Sequence, residues 1–342
     1  MNPILVEVTR GDHVESVHRG SVAVCNGRGE TVFAIGDVTS SVFPRSAIKL
    51  IQALPLVESG AADAFRFGNK ELALACASHN GEARHVTTAT AMLEAAGLDV
   101  GALECGPQWP ALSSDQSTLY RESSEPTAAY NNCSGKHAGM LAFASHMHIE
   151  PKGYVDRDHA VQKAVSAALE EMTGVPLADA PCGIDGCSLP TIAVPLDSMA
   201  RAFAQAATGE GLGAARSDAC KRLMEACMAE PYMVAGMDRF CTDIMTEGQG
   251  QVFVKTGAEG MFCAAFPALG LGVALKCDDG ATRASEAMMA QLIAAFFPGE
   301  PGPQLARRVE APLLNRRNIQ VGFVRASSGY RESLEQIASR GV

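Results

Sequence analysis

The chain has 342 residues, 47% of them hydrophobic and 19% charged, which is enough for a substantial buried core. A formal net charge of -10 without any basic cluster argues against a nucleic-acid partner. No uninterrupted apolar run reaches the roughly 20 residues of a membrane helix. Residues 1–8 lack a basic lead and hold only a strand-length apolar run, so a cytoplasmic chain with no membrane partner is expected. The eleven cysteines then read as thiols, most of them small core hydrophobes, with a few left over as possible metal ligands.

Residues 4–8 alternate as a strand, with Ile4, Val6 and Val8 on one face. Residues 21–25 and 31–35 flank Asn26-Gly27-Arg28-Gly29, a hairpin signal. A helix is expected to open at Ser46 and to run through Leu50, Ile51, Ala53 and Leu54. From residue 69 to 250 the pattern is mainly helical, over 70–77, 84–96, 137–148, 158–172, 199–207 and 214–228. Residues 252–255, 261–266 and 271–276 then read as a three-stranded antiparallel meander. A helix over 283–297, broken by Pro298-Gly299, and one more strand within 318–325 complete the set. Strands at both ends around a helical middle predict an α+β fold. One domain spans 1–342, with 1–68 and 251–342 supplying the central antiparallel sheet and 69–250 a mainly helical portion.

Three short motifs lie on suitable elements in one order. Ser46 and Lys49 stand three residues apart, one helical turn, so both fall on one face. A lysine whose pKa is lowered by burial and nearby positive charge can take a serine proton. Ser78-His79-Asn80 follows a short apolar helix, and Lys255-Thr256-Gly257 ends a strand. Taken singly, Ser46 could cap a helix, Ser78 could be a turn residue and Lys255 could simply end a strand. Together they follow the motif order of the penicillin-recognising serine enzymes. In that logic Ser46 attacks a carbonyl, Lys49 is its base, Ser78 relays protons and Lys255 adds positive charge. Gly257 lets the strand edge approach a substrate closely.

Between these motifs lie residues 131–139, with Cys133, Lys136 and His137, and residues 182–187, with Cys182, Asp185 and Cys187. Two thiolates and one nitrogen, with a fourth position open, suit a non-structural zinc site. Cys133 and Cys187 are the favoured thiols, with Cys182 an alternative; core cysteines in tight glycine turns would look the same. Chemistry alone selects His137 as the nitrogen ligand. Gly135-Lys136 is not a phosphate loop, because residue 130 is tyrosine where that motif requires glycine.

The sequence resembles the class 3 (Rhizobium-type) L-asparaginases. The resemblance rests on Arg45-Ser46-Ala47-x-Lys49, Cys76-Ala77-Ser78-His79, the block from Asn132 to His137, Asp185-Gly186-Cys187-x-Leu189-Pro190-Thr191 and Lys255-x-Gly257-Ala258. It extends through Met233-Val234-Ala235-Gly236 and Arg239-x-Cys241-Thr242 and so covers most of the chain. It implies a β-lactamase-like fold, a homodimer and hydrolysis of asparagine to aspartate and ammonia. It implies two serine–lysine pairs, Ser46 with Lys49 and Ser78 with Lys255. It also implies one zinc ion held by Cys133, Lys136 and Cys187, so that Lys136 replaces His137 as the nitrogen ligand. Asp185 would bind the metal's water, with Arg45, His137 and Gly257 beside the substrate. The rival readings are a glutaminase or other serine amidase on the same fold, a β-lactamase-like hydrolase, and a catalytically silent zinc-dependent binder.

Overall fold

In a computed structural model of the protein, residues 1–297 and 302–338 are described. The main sheet has eight strands: β1 (Ile4–Arg10), β2 (His13–Asn26), β3 (Thr31–Ile35), β4 (Phe253–Thr256), β5 (Met261–Phe266), β6 (Leu271–Cys277), β7 (Glu310–Leu314) and β8 (Gln320–Ala326). Its order is β7-β8-β1-β2-β6-β5-β4, with β3 also paired to β2, and every pairing is antiparallel. The two chain ends therefore meet in one sheet, in the α+β arrangement that the sequence predicts.

β2 is longer than the predicted strand. Its first residues, His13 to Val17, are exposed and pair with β1, whereas Gly20 to Cys25 are buried between β6 and β3. The polar half shows no apolar alternation and so gave no strand signal.

Helices cover both faces of the sheet. Phe253 of β4 stacks on Phe203 of the helix Leu196–Thr208, with ring centroids 5.9 Å apart. Phe253 pairs with Ala265, so the next residue, Phe266, points to the opposite face. There it meets Phe296 of the helix Thr282–Phe296 at 6.0 Å. All six residues of β5 are consequently buried, and each large side chain so placed contributes about 1.5–3 kcal/mol. The Pro298-Gly299 break predicted after this helix lies outside the described residues.

The middle of the chain is mainly helical, as expected, but carries two small ladders. Ser41–Val42 pairs with Val194–Pro195, and Cys182–Ile184 pairs with Pro190–Ile192. The second ladder makes a hairpin where the sequence suggested only a loop, and its tip presents Asp185 and Cys187. The helix expected over 137–148 runs from Ser134 to His146, so Lys136 lies in its first turn. Among the described residues, no helix is long and apolar enough to cross a membrane.

Candidate active site

The predicted Ser46 helix begins as a 3-10 turn, Arg45–Ile48, which continues into a short α-helix, Lys49–Gln52. Side chains three apart nearly eclipse in 3-10 geometry, which keeps Ser46 and Lys49 on one side. No side chain caps this turn, so Ser46 is not there as an N-cap. Among the described residues its hydroxyl has no hydrogen-bond partner, and it is only part-buried. The first bond of the turn runs from Ala47 N–H to Pro44 O at 3.1 Å, leaving the Ser46 N–H ahead of the ladder. Gly257, at the end of β4, presses on this same turn. A Cβ there would lie 2.9 Å from Pro44 O and 3.1 Å from Ala47 N, so the lysine–threonine–glycine strand can dock beside Ser46 only as glycine.

Lys49 is fully buried. Its Nζ donates to the Ala77 carbonyl and lies 3.0 Å from Cys133 Sγ. Burial first, and then the Lys136 charge, lower its pKa against the opposing effect of the two thiols. Its amine does not bond Ser46 directly; it ties the Ser46 turn to the residue before Ser78 and to the thiol block.

Ser78-His79-Asn80 is held extended between two other segments. Ser78 N–H donates to Val234 O at 2.9 Å, His79 N–H to Asn132 O at 3.1 Å and Asn80 N–H to Ala235 O at 3.0 Å. Lys255, also fully buried, donates from Nζ to Ser78 Oγ and to Thr256 O, both at 2.9 Å. Burial, followed by the charges of Lys49 and Arg239, lowers its pKa to about 7. The Ser78–Lys255 pair expected from the sequence is thus formed in space.

The thiol block converges on the same region. Lys136 Nζ lies 3.2 Å from Cys187 Sγ. The neighbouring Cys187 thiol and the Lys136 and Lys49 charges hold Cys133 well below the usual thiol range, while Cys187 is pushed up. Burial acts to lower the Lys136 pKa, but Cys133, Cys187 and Asp185 together raise it. Asp185 is bridged by Arg45, whose Nε and Nη2 donate to Oδ1 at 3.1 and 2.8 Å. Burial would raise the Asp185 carboxyl, yet Arg45 and Lys136 keep it below the ordinary range. Arg45 takes a left-handed backbone conformation (φ 51°), a strained choice for a side chain of its size.

Comparison with known proteins decides which enzymes share these features. A profile of the L-asparaginase II family matches residues 6–326. The chain belongs to the L-asparaginase II family. Membership bears out the resemblance read from the sequence and makes the protein an amidohydrolase with a small-molecule substrate. No curated protein matches the chain at a significant level. Among solved structures, one of a protein termed Mglu aligns at 15% identity and TM-score 0.40, over 88% of this chain and 74% of that one. A β-lactamase (Mb2281c) from Mycobacterium bovis aligns at 13% identity and TM-score 0.39, over 80% and 94%. The D-alanine carboxypeptidase AmpC from Burkholderia cenocepacia aligns at 11% identity and TM-score 0.37, over 79% and 90%. Likenesses this distant carry no argument about chemistry.

In this L-asparaginase II family member, the structure brings Ser46, Lys49, Ser78, Lys255, Cys133, Lys136, Cys187, Arg45, Asp185 and Gly257 into one connected region. It leaves out two candidates. His137 is fully buried with Nδ1 bonded to Tyr154 OH at 2.6 Å, and among the described residues its Nε2 has no partner. It joins neither the thiols nor the serines, because Lys136 and His137 leave the helix in different directions. Cys182 is exposed on the hairpin and among the described residues bonds only the Gly183 carbonyl, so Cys187 is the thiol that enters the cluster. Two thiols and one amine from two elements, all three buried, form a donor set that suits zinc. The sequence reading named Arg239 only within the Arg239-x-Cys241-Thr242 match, with no role, and missed Glu82, which carries no motif signal of its own; the two bracket the Ser78 turn. A separate trio, His18, Cys277 and Asp279, satisfies its own hydrogen bonds with help from Arg283 and lies apart from these residues in the sheet.

Proposed function

We propose that this enzyme hydrolyses the side-chain amide of L-asparagine to aspartate and ammonia through an acyl-enzyme on Ser46. The observation that carries this reading is a pair of fully buried lysines, each tied to a serine motif. Their hydrogen bonds go to hydroxyl, thiol and carbonyl groups rather than to carboxylates. An uncompensated buried ammonium is disfavoured, so burial lowers both amines, and Lys255, at about 7, is poised to exchange protons near neutrality.

Ser46 supports the nucleophile role by its free hydroxyl and partial exposure, whereas Ser78 is 6% exposed and already accepts from Lys255. Neutral Lys49 spends its two N–H donors on Ala77 O and Cys133 Sγ, which leaves its lone pair for the Ser46 proton. As that proton transfers, Ser46 Oγ bonds the amide carbon, and the Ser46 N–H helps hold the oxyanion. The C–N bond then breaks, and ammonia leaves with a proton from Ser78 that Lys255 replaces. Water next attacks the ester and returns a proton through Ser78 to Lys255, while Lys49 reprotonates Ser46. A group with pKa about 7 can serve in both half-reactions.

Cys133, Lys136 and Cys187 would hold zinc, and Lys136 must surrender its proton to do so. Zinc, when bound, would supply a cationic anchor for the substrate's α-groups rather than the nucleophile. Asp185, held by Arg45, sits where it can take the substrate's amine or an ordered water. The family resemblance also supports a homodimer, which analytical sedimentation would check.

Ser46→Ala should abolish ammonia release while the fold persists; retained activity sinks the scheme. The 2.9 Å Ser78–Lys255 bond favours a second reading, in which Ser78 carries the acyl group. Mass spectrometry of the trapped acyl-enzyme, with peptide mapping, separates the two serines, and a silent binder would never gain the covalent mass. Ammonia release from asparagine and glutamine, measured side by side, separates asparaginase from glutaminase.

A further inference from the structure

The Ser78–Lys255 contact joins residues 177 apart in sequence, and one short segment touches both sides of it. Val234 O and Ala235 O accept from the Ser78 and Asn80 backbone N–H groups. A few residues on, Cys241 Sγ accepts from Thr256 N–H at 3.4 Å, beside Lys255. Between these points the Asn80 side chain binds the segment down. Its Nδ2 donates to Met237 O at 2.9 Å and to Glu82 Oε1 at 3.1 Å, and its Oδ1 accepts from Arg239 Nη1 at 2.8 Å. Glu82 completes the knot: Oε1 also accepts Met237 N–H at 2.8 Å, and Oε2 accepts the Tyr232 hydroxyl. Gly236 crosses over this carboxylate at φ 104°, where a Cβ would lie 2.3 Å from Glu82 Oε1. Asn80 is 3% exposed, and both its amide hydrogens are used. It has no donor left to offer a substrate, and its oxygen is engaged by Arg239.

We propose that Asn80 is a positioning residue that clamps residues 234–241 to the Ser78 turn and so keeps Ser78 and Lys255 within hydrogen-bond reach. The kinetic part of this inference rests on the hydrolase reading above; the clamp itself does not. Asn80→Leu, of similar volume without polar atoms, removes the clamp. Its kcat for ammonia release should fall about tenfold or more with KM little changed, as for other small misplacements of reacting groups. Added to Ser78→Ala it should cause no further loss, because both changes remove the same relay. Hydrogen exchange at the Ser78 and Asn80 amides should quicken while the amides of the central strands hold.

A raised KM with losses that add to those of Ser78→Ala would make Asn80 a substrate contact and overturn the inference. So would a lowered Tm with unchanged kcat, or unchanged exchange at residues 78 and 80. If Asn80→Leu does not fold, Asn80→Asp, which keeps an acceptor for Arg239, and Arg239→Gln carry the same measurements. A wild-type enzyme that releases ammonia from neither asparagine nor glutamine would refute the proposed function, and exchange alone would then decide the clamp.

Discussion

Lys255 brings an ammonium into a shell made of Ser78, the Thr256 carbonyl and the buried strand Phe253–Thr256. Its folded pKa of about 7 lies below the ordinary lysine value, so between the two the unfolded chain holds a proton that the folded chain has released. Stability therefore rises with pH across that window, and below it the burial penalty is constant. Lys255→Met should abolish activity, raise Tm at neutral pH and flatten the pH dependence of stability between about 7 and 10. Thermal unfolding at pH 7 and pH 9 checks this, and a lowered Tm at neutral pH would show that the ammonium is compensated. In the wild type, kcat/KM should carry a limb near 7, where Lys255 titrates.

At the scale of elements, the site is assembled where a strand end, a 3-10 turn and a helix N-terminus meet. Gly257, just past the strand end, packs closely on the turn, with Pro44 O at 2.9 Å from where a Cβ would sit. Gly257→Ala should push Ser46 away from the strand. We expect a stability loss of about 1–3 kcal/mol, typical of overpacking, together with a larger drop in kcat than that loss explains. Comparing kcat/KM with denaturant midpoints tests it; equal activity would mean the turn yields without moving Ser46. The Asp185–Cys187 hairpin tip plays the matching part on the other side. Its ladder fixes Cys187 against Lys136 while Arg45 pins Asp185.

Across the whole molecule, the zinc donors come from two elements far apart in sequence, so metal binding would couple the hairpin to the helix Ser134–His146 and stabilise the folded state. Metal analysis of the purified protein should find about one zinc per chain, the stoichiometry of a single three-ligand site. Cys133→Ser and Cys187→Ser should lose it, whereas Cys182→Ser should keep it. Chelation should lower Tm in the wild type and leave Cys133→Ser unmoved. Zinc retained in Cys187→Ser would remove the hairpin from the site.

The sequence by itself determined what local patterns encode. Ser46 and Lys49 share a turn because three residues separate them, and the helices over 84–96, 158–172 and 214–228 are observed within one or two residues of their predicted ends. The edge strand Glu310–Leu314 was not legible, since Pro312 speaks against a strand and is tolerated only at a sheet edge. Only the tertiary structure decided which side chains meet. Lys49 reaches residues 28 and 84 positions away, and Lys255 reaches one 177 away. Spacing fixes the face from which a side chain leaves its own element, and nothing more. Whether Lys136 or His137 enters the thiol cluster, and whether Asn80 faces a substrate or a clamp, depends on how distant elements pack. In sequence Ser46 and Lys49 are a local pair; packing makes Lys49 the tie between the Ser46 turn, the Ser78 segment and the thiols.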